Sequence, residues 1–142
     1  MKIQRTCKSR VFTLVEMLVV LAIIGMLVGI AGPAIMGRMR GAEINTAKTQ
    51  VKVLDEAVMT YYMDVREFPK KLEDLVTGAD GGDSKWKGPY LKPAKVPKDP
   101  WGTEYQYEWP AAHNKKSPDI YSYGPDKAAG GEGDAADITN WD

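Results

Sequence analysis

Cysteine is almost absent from this chain. Cys7 is alone among 142 residues, so no intrachain disulfide can form and stability must come from elsewhere. It lies among basic residues near the N-terminus with no lipobox around it, which leaves it as a neutral feature of that flank. Histidine is equally scarce. His113 sits in the polar loop Ala112-His113-Asn114-Lys115-Lys116, with no metal-ligand spacing and no nucleophile beside it. No glycine-rich phosphate loop, Ser-His-Asp arrangement or Cys-His cluster occurs. These absences argue against an enzyme. Net charge is also lacking: 19 basic and 19 acidic side chains balance, so nothing draws the whole chain to nucleic acid.

What is present is strongly segregated. Lys2, Arg5, Lys8 and Arg10 stand at the N-terminus without an acid, and the chain beyond Met36 carries 15 basic and 18 acidic residues. Between them, Phe12 to Ile35 is apolar except for Thr13 and Glu16, and Met17 to Ile35 has no charge. About 20 helical residues at about 1.5 Å each cross the hydrocarbon core of a bilayer. The run lacks a convincing small-residue cleavage site at its far end, so it is expected to be an anchor rather than a secretory signal. The basic flank keeps the N-terminus in the cytoplasm.

Glu16 stands out in that run. A carboxylate at the bilayer centre costs about 2.5–3.5 kcal/mol on insertion scales. Two readings follow: either it pairs with a positive charge of a neighbouring subunit, or it reaches water at the cytoplasmic interface. Gly25, Gly29, Gly32 and Pro33 weaken the same helix. Membrane helices tolerate such residues, and a helix that packs closely, bends or locally unwinds uses them.

Past the anchor, Ala47, Val51, Leu54, Val58, Tyr61 or Tyr62, and Val65 recur at three- and four-residue steps. That is one apolar face of a stem helix continuing the anchor into a rod of about 50 residues. Phe68-Pro69 ends it. A short amphipathic turn over 72–76 and a flexible break over 78–82 follow. Tyr105 to Trp109 alternates aromatic and polar residues as a half-buried strand does, and Ile120 to Tyr123 is a second strand candidate. The expected fold is α+β: a long N-terminal helix, anchor plus amphipathic stem, packed on a small antiparallel β-sheet head with long loops. Trp86, Trp101, Trp109 and Trp141 are expected to pack the core or anchor loops in a head this small.

The C-terminal stretch from Gly124 to Asp137 is glycine-rich and acidic, with Asp126, Glu132, Asp134 and Asp137. Composition alone fits a solvated loop better than a cation site, and the spacing is not that of an EF-hand.

The motifs resemble a family. Arg10-Val11-Phe12-Thr13-Leu14-Val15-Glu16 followed by the apolar helix resembles the class III signal of type IV pilins and pseudopilins. Tyr61-Tyr62-Met63-Asp64, Phe68-Pro69, Val96-Pro97-Lys98-Asp99-Pro100-Trp101-Gly102, Ser122-Tyr123-Gly124-Pro125-Asp126 and Asp137-Ile138-Thr139-Asn140-Trp141, in this order, resemble the major pseudopilins of type II secretion systems. The resemblance implies four segments: a leader over 1–11, an assembly helix over 12–35, a stem over 36–66 and a periplasmic head over 67–142. It implies cleavage by a prepilin peptidase between Val11 and Phe12, with N-methylation of Phe12. It gives Glu16 the role of pairing with a neighbour's N-terminus. It also implies a homo-oligomeric helical filament in the Gram-negative inner membrane and periplasm. That filament would work with minor pseudopilins, an inner-membrane assembly platform and the surrounding lipid, with no nucleic acid involved. Calcium in the C-terminal loop is implied as well, with Asp126, Asp134 and Asp137 as carboxylate ligands and the Tyr123 carbonyl as a backbone ligand. Three positions depart from the family pattern. Val11 stands where glycine usually precedes the cleavage point, Lys127 stands where glycine is common, and Ala136-Asp137 replaces an acid pair.

Two other readings compete. A type IV pilus subunit usually carries a C-terminal disulfide loop, which this chain cannot form. A monomeric membrane-tethered calcium-binding module has no need of Glu16 at the head of the apolar run.

Overall fold

The computed structural model describes residues 12–79 and 84–141, without the side chains of Pro33 and Ala34. The expected leader, Cys7, the Val11 side of the cleavage point and most of the 78–82 break lie outside the described residues. The chain divides into two compact units, Met1–Arg38 and Met39–Asp142.

Helix α1 runs from Leu14 to Val65 without interruption, including the expected weak points at Gly25, Gly29, Gly32 and Pro33. It starts on a cap. The backbone N–H of Glu16 donates to Thr13 Oγ1 at 3.2 Å, and that of Met17 to the Thr13 carbonyl at 3.3 Å. Thr13-Leu14-Val15-Glu16 is therefore the threonine-to-glutamate spacing of a capping box, with an acid in the first turn. In the first unit the apolar side chains are exposed, among them Leu14, Leu21, Met26 and Ile30. This part of α1 is long and apolar enough to cross a membrane.

In the second unit the remainder of α1 turns one face inward. Ala47, Val51, Leu54, Val58, Tyr61 and Val65 are buried, while Tyr62 is only half-buried, which settles the sequence's ambiguity between the two tyrosines. The helix ends with Arg66 in a left-handed conformation at φ 70°, its N–H donating to the Tyr62 carbonyl at 2.8 Å. A single-turn helix, α2, spans Asp74–Thr77 and buries Leu75.

Among the described residues three short strands complete the head: β1 Gln106–Glu108, β2 Asp119–Ser122 and β3 Ile138–Thr139. They form an antiparallel sheet in the order β1-β2-β3. Tyr107 pairs with Ile120 and Ser122 with Ile138. Both strands read from the sequence are there, one residue shorter at each end for β1 and shifted by one for β2. The third, only two residues long, was not anticipated. The core gathers the buried stem face with Leu72, Leu75, Leu91, Tyr105, Ile120 and Ile138. Tyrosine hydroxyls tie the layers: Tyr105 donates to Gln50 Oε1 on α1, and Tyr107 to the Pro69 carbonyl at 2.6 Å. Burial raises the pKa of both tyrosines, so both hydroxyls stay protonated donors.

Candidate functional site

The head's long loops are held by buried aspartates. Asp99 opens the turn Asp99-Pro100-Trp101-Gly102, with proline and glycine where a type I turn favours them. Its Oδ1 accepts from the N–H groups of Thr103 at 2.7 Å and Trp101 at 3.1 Å, and its Oδ2 from the Ser122 hydroxyl at 2.6 Å. Ser122 Oγ in turn accepts from Gly124 N–H at 3.1 Å, which places the start of the acidic loop against this turn.

Asp119 is fully buried in β2. It accepts from the backbone N–H groups of Ala112, His113 and Asn114 at 2.8–2.9 Å, and its Oδ2 lies 3.0 Å from His113 Nδ1. Burial pushes the carboxyl up, but the N–H donors of Asn114, His113 and Ala112 and the His113 ring outweigh it and hold the pKa low. His113 is thus an exposed loop residue, as expected, but one bonded to a buried acid and stacked on Trp141 with ring centres 4.2 Å apart. Asn140 closes the assembly. It accepts from Ile120 N–H and donates to the Pro118 carbonyl and to Asp55 of α1.

Sequence reading missed Asp99, Asp119 and the similarly buried Asp74. The Asp-Pro-Trp-Gly order was a usable signal for Asp99. Nothing local marks Asp119, whose partners are backbone groups five to seven residues upstream.

The acidic loop contains two short 3₁₀ turns, Gly124–Asp126 and Gly133–Ala135, lying against each other. Tyr123 caps the first. Gly131 has φ +97°, and a Cβ there would meet the Ala135 carbonyl oxygen at 2.2 Å and Asp126 Oδ2 at 3.3 Å, so only glycine fits. Asp126 Oδ1 accepts from Ala128 N–H at 3.2 Å, and Asp137 Oδ2 from Gly130 N–H at 3.0 Å. Asp126 and Asp137 therefore both lie against the Gly130–Gly131 stretch. Asp137 Oδ1 is buried without a hydrogen-bond partner. Asp134 lines a cleft of about 290 Å³ with Asp126, Glu43 and Trp101, whose indole N–H donates to Glu43 Oε2 at 3.2 Å, and a second cleft with Asp137, Lys48 and Lys52. Among the described residues no three acidic, histidine or cysteine side chains converge tightly enough to hold an ion by themselves. A cation in this loop would need backbone carbonyls as well. The orphaned Asp137 oxygen fits a hard cation on those terms, with Lys48 and Lys52 lining the same cleft as Asp134 and Asp137 and competing for their charge. Lys127 adopts the left-handed conformation at φ 57°, where glycine would carry no side-chain clash.

Phe12 and Glu16 both lie exposed at the start of α1. Glu16 occupies the third helical position of a capped N-terminus, where a carboxylate interacts favourably with the helix dipole. That local role was not foreseen.

Comparison with known proteins agrees with this architecture. Residues 12–32 match the prokaryotic N-terminal methylation motif, which sets the chain among proteins that carry this N-terminal motif. Residues 34–141 match the family described as type II secretion system (T2SS), protein G. The type II secretion system core protein G of Vibrio cholerae is 37% identical over 139 residues, covering 94% of this chain and 92% of that protein. The core protein G of Pseudomonas aeruginosa is 40% identical over 138 residues, covering 92% of this chain and 94% of its own length. The crystal structure of the major pseudopilin from the type 2 secretion system of enterohaemorrhagic Escherichia coli superposes with a TM-score of 0.60. It is 27% identical, covering 75% of this chain and 88% of that one. The chain belongs to the type II secretion system protein G family, whose members are structural pseudopilins.

Proposed function

We propose that this chain is the major subunit of a type II secretion pseudopilus and acts as a structural polymer rather than an enzyme. The observation that carries this is the division of α1. Its first half exposes a continuous apolar surface, and its second half is fixed to a folded head. Lipid covers the exposed half before assembly, and neighbouring copies cover it afterwards. The basic flank retains the N-terminus in the cytoplasm and the head lies in the periplasm. A prepilin peptidase removes residues 1–11 and leaves Phe12 as the methylated terminus. Glu16 then pairs with the N-terminal charge of the next subunit as it enters the filament. Minor pseudopilins and an inner-membrane platform start and drive the assembly.

The loop from Gly124 to Asp137 is read as a calcium site. Asp126 and Asp137 supply carboxylates, Asp134 a third, and the Tyr123 carbonyl a backbone oxygen. The ion would neutralise acids that otherwise repel one another and would satisfy the buried oxygen of Asp137. The head has no disulfide to hold this loop.

Glu16→Ala tests the central reading. The variant should insert in the membrane as well as the parent, because it removes a charge from the apolar segment. It should form few or no filaments by electron microscopy and should block export of the system's cargo. Filament formation at the parent's rate would reduce Glu16 to a helix-capping role. Mass measurement of the membrane-extracted chain tests the leader: retention of residues 1–11 in assembled filaments would overturn the proposed cleavage.

A further inference from the structure

Two surface features of the head take no part in the site above. The first is a knob. Trp109 follows β1 and is 43% exposed, its inner edge resting on Phe68 with ring centres 4.5 Å apart. Phe68 stacks on Tyr62 of α1 at 4.4 Å, so the indole stands on a two-ring support. Exposed Glu108 precedes Trp109 and exposed Glu67 precedes Phe68, with exposed Arg66 and Lys70 near Phe68 in sequence. The second is a groove of about 230 Å³ lined by Val53, Leu91, Pro93 and Pro97, with Lys92 and Lys95 beside them. Leu91 is buried, whereas Val53 is 49% exposed although it is aliphatic and sits on a helix that buries its other face.

The two features cannot meet within one molecule. Val53 and Tyr62 lie nine residues apart on α1, which is about half a turn round the helix at about 100° per residue and about 14 Å along it. One chain thus presents an aromatic knob with acidic flanks on one face and an apolar groove with basic flanks on the opposite face. A cavity of about 150 Å³ already accepts a benzene, so the groove has room for the outer part of an indole. Exposed tryptophans in aromatic surroundings are typical anchors of protein interfaces. The charges add orientation, because Glu67 and Glu108 would face Lys92 and Lys95.

We propose that Trp109 of one copy docks in the Val53–Leu91–Pro93–Pro97 groove of a second copy. The contact joins two different surfaces of the same chain, so it is heterologous. Repeated from copy to copy it does not have to close, and it generates a filament. The inference deepens the polymer reading, by assigning the contact between heads, and rests on it.

The test uses the full-length, membrane-extracted protein with Cys7→Ser. Cysteines are placed on the two rims by Glu108→Cys and Lys92→Cys, which keep Trp109 and the apolar lining of Val53, Leu91, Pro93 and Pro97 and replace one charge on each side. Oxidation should give a ladder of dimers, trimers and longer species, because each copy carries one half of two successive contacts. No cross-link, or a cross-link that stops at dimers, would overturn the proposal. Val53→Lys should lower filament yield by about tenfold or more, the scale of losing an interface anchor, with the melting temperature of the head unchanged because the site is exposed. Wild-type filaments are the control. If they form and Val53→Lys matches them, this contact is wrong and the polymer reading stands. If wild-type filaments do not form at all, the polymer reading fails and the cross-linking ladder alone decides the contact.

Discussion

Between Leu14 and Met39, α1 exposes Leu14, Leu21, Met26, Ile30 and Met39; between Ala47 and Val65 the same helix buries Ala47, Val51, Leu54, Val58 and Val65. Residue type does not separate these stretches, since both are rich in aliphatic side chains. Pattern does. The first is apolar on every side, so no single protein face can cover it, and the solvent that suits it is lipid or a ring of identical helices. The second keeps Lys48, Lys52 and Glu56 exposed and gathers its apolar residues, Val53 and Met63 excepted, in one stripe, which one small sheet and two loops can cover. The head's stability is thus local to the second stretch, and assembly is the business of the first.

Substitution at matched positions gives the sharpest contrast. Leu54→Ala should cost the head about 2–5 kcal/mol, because Leu54 is fully buried and its removal leaves a cavity. Leu27→Ala, in the exposed stretch, should change thermal unfolding of the head by less than about 0.5 kcal/mol. Equal losses would show that the two stretches are energetically one unit.

Calcium addresses the loop at the other side of the core. With free ion at a hundredfold excess over its dissociation constant, the head should gain about 2.7 kcal/mol, seen as a higher melting temperature than in chelator. Asp126→Ala and Asp137→Ala should each abolish the difference, and Glu132→Ala should leave most of it. Magnesium should substitute poorly because it demands a tighter octahedral shell. Identical melting curves with ion and chelator would leave a solvated acidic loop.

Acid should expose the contribution of Asp119. Its pKa is depressed in the folded head, so the stabilisation is complete above the ordinary carboxylate value of about 3.9 and is lost as pH falls through the folded value. The head should therefore weaken steeply below about pH 4. Asp119→Asn should lower stability near neutral pH by about 1–3 kcal/mol, since an amide cannot accept from every donor facing it. It should also flatten that acid limb. An unchanged acid limb in the variant would assign the transition to other carboxylates.

The smallest effect is expected at the end of α1. Arg66 holds φ 70°, a conformation that costs a side chain about 1–2 kcal/mol, part of which glycine returns through its greater freedom when unfolded. Arg66→Gly should raise stability by about 0.5–1 kcal/mol in thermal melts, and a decrease would mean that the arginine makes a compensating contact.

The helix and its buried face were legible because a 52-residue element repeats its signal many times. Tyr61 could not be told from Tyr62, since both lie three or four residues from Val58 and from Val65. Strand β3 was hidden because Ile138–Thr139 is too short to alternate. The loop acids were visible as a group, but their sorting was not. Asp126 and Asp137 converge on Gly130–Gly131 only because the intervening glycines take left-handed conformations that no residue pattern announces. Buried Asp119 was the least visible, since three of its partners are main-chain N–H groups, which every residue except proline carries alike, and only the His113 ring is a side chain.

Asn140 has one more consequence, which concerns the order of synthesis. Its side chain bonds to Asp55, 85 positions earlier, and it closes off the backbone of Ile120 beside β3. Until residues 138–140 have left the ribosome, β2 keeps an open edge and α1 lacks this clasp. The apolar first half of α1 emerges long before that and meets the membrane while the head is still an unfinished chain. A subunit interrupted late in translation would carry an apolar anchor and an unclosed head, leaving an unpaired strand edge by which proteases could tell it from a finished one.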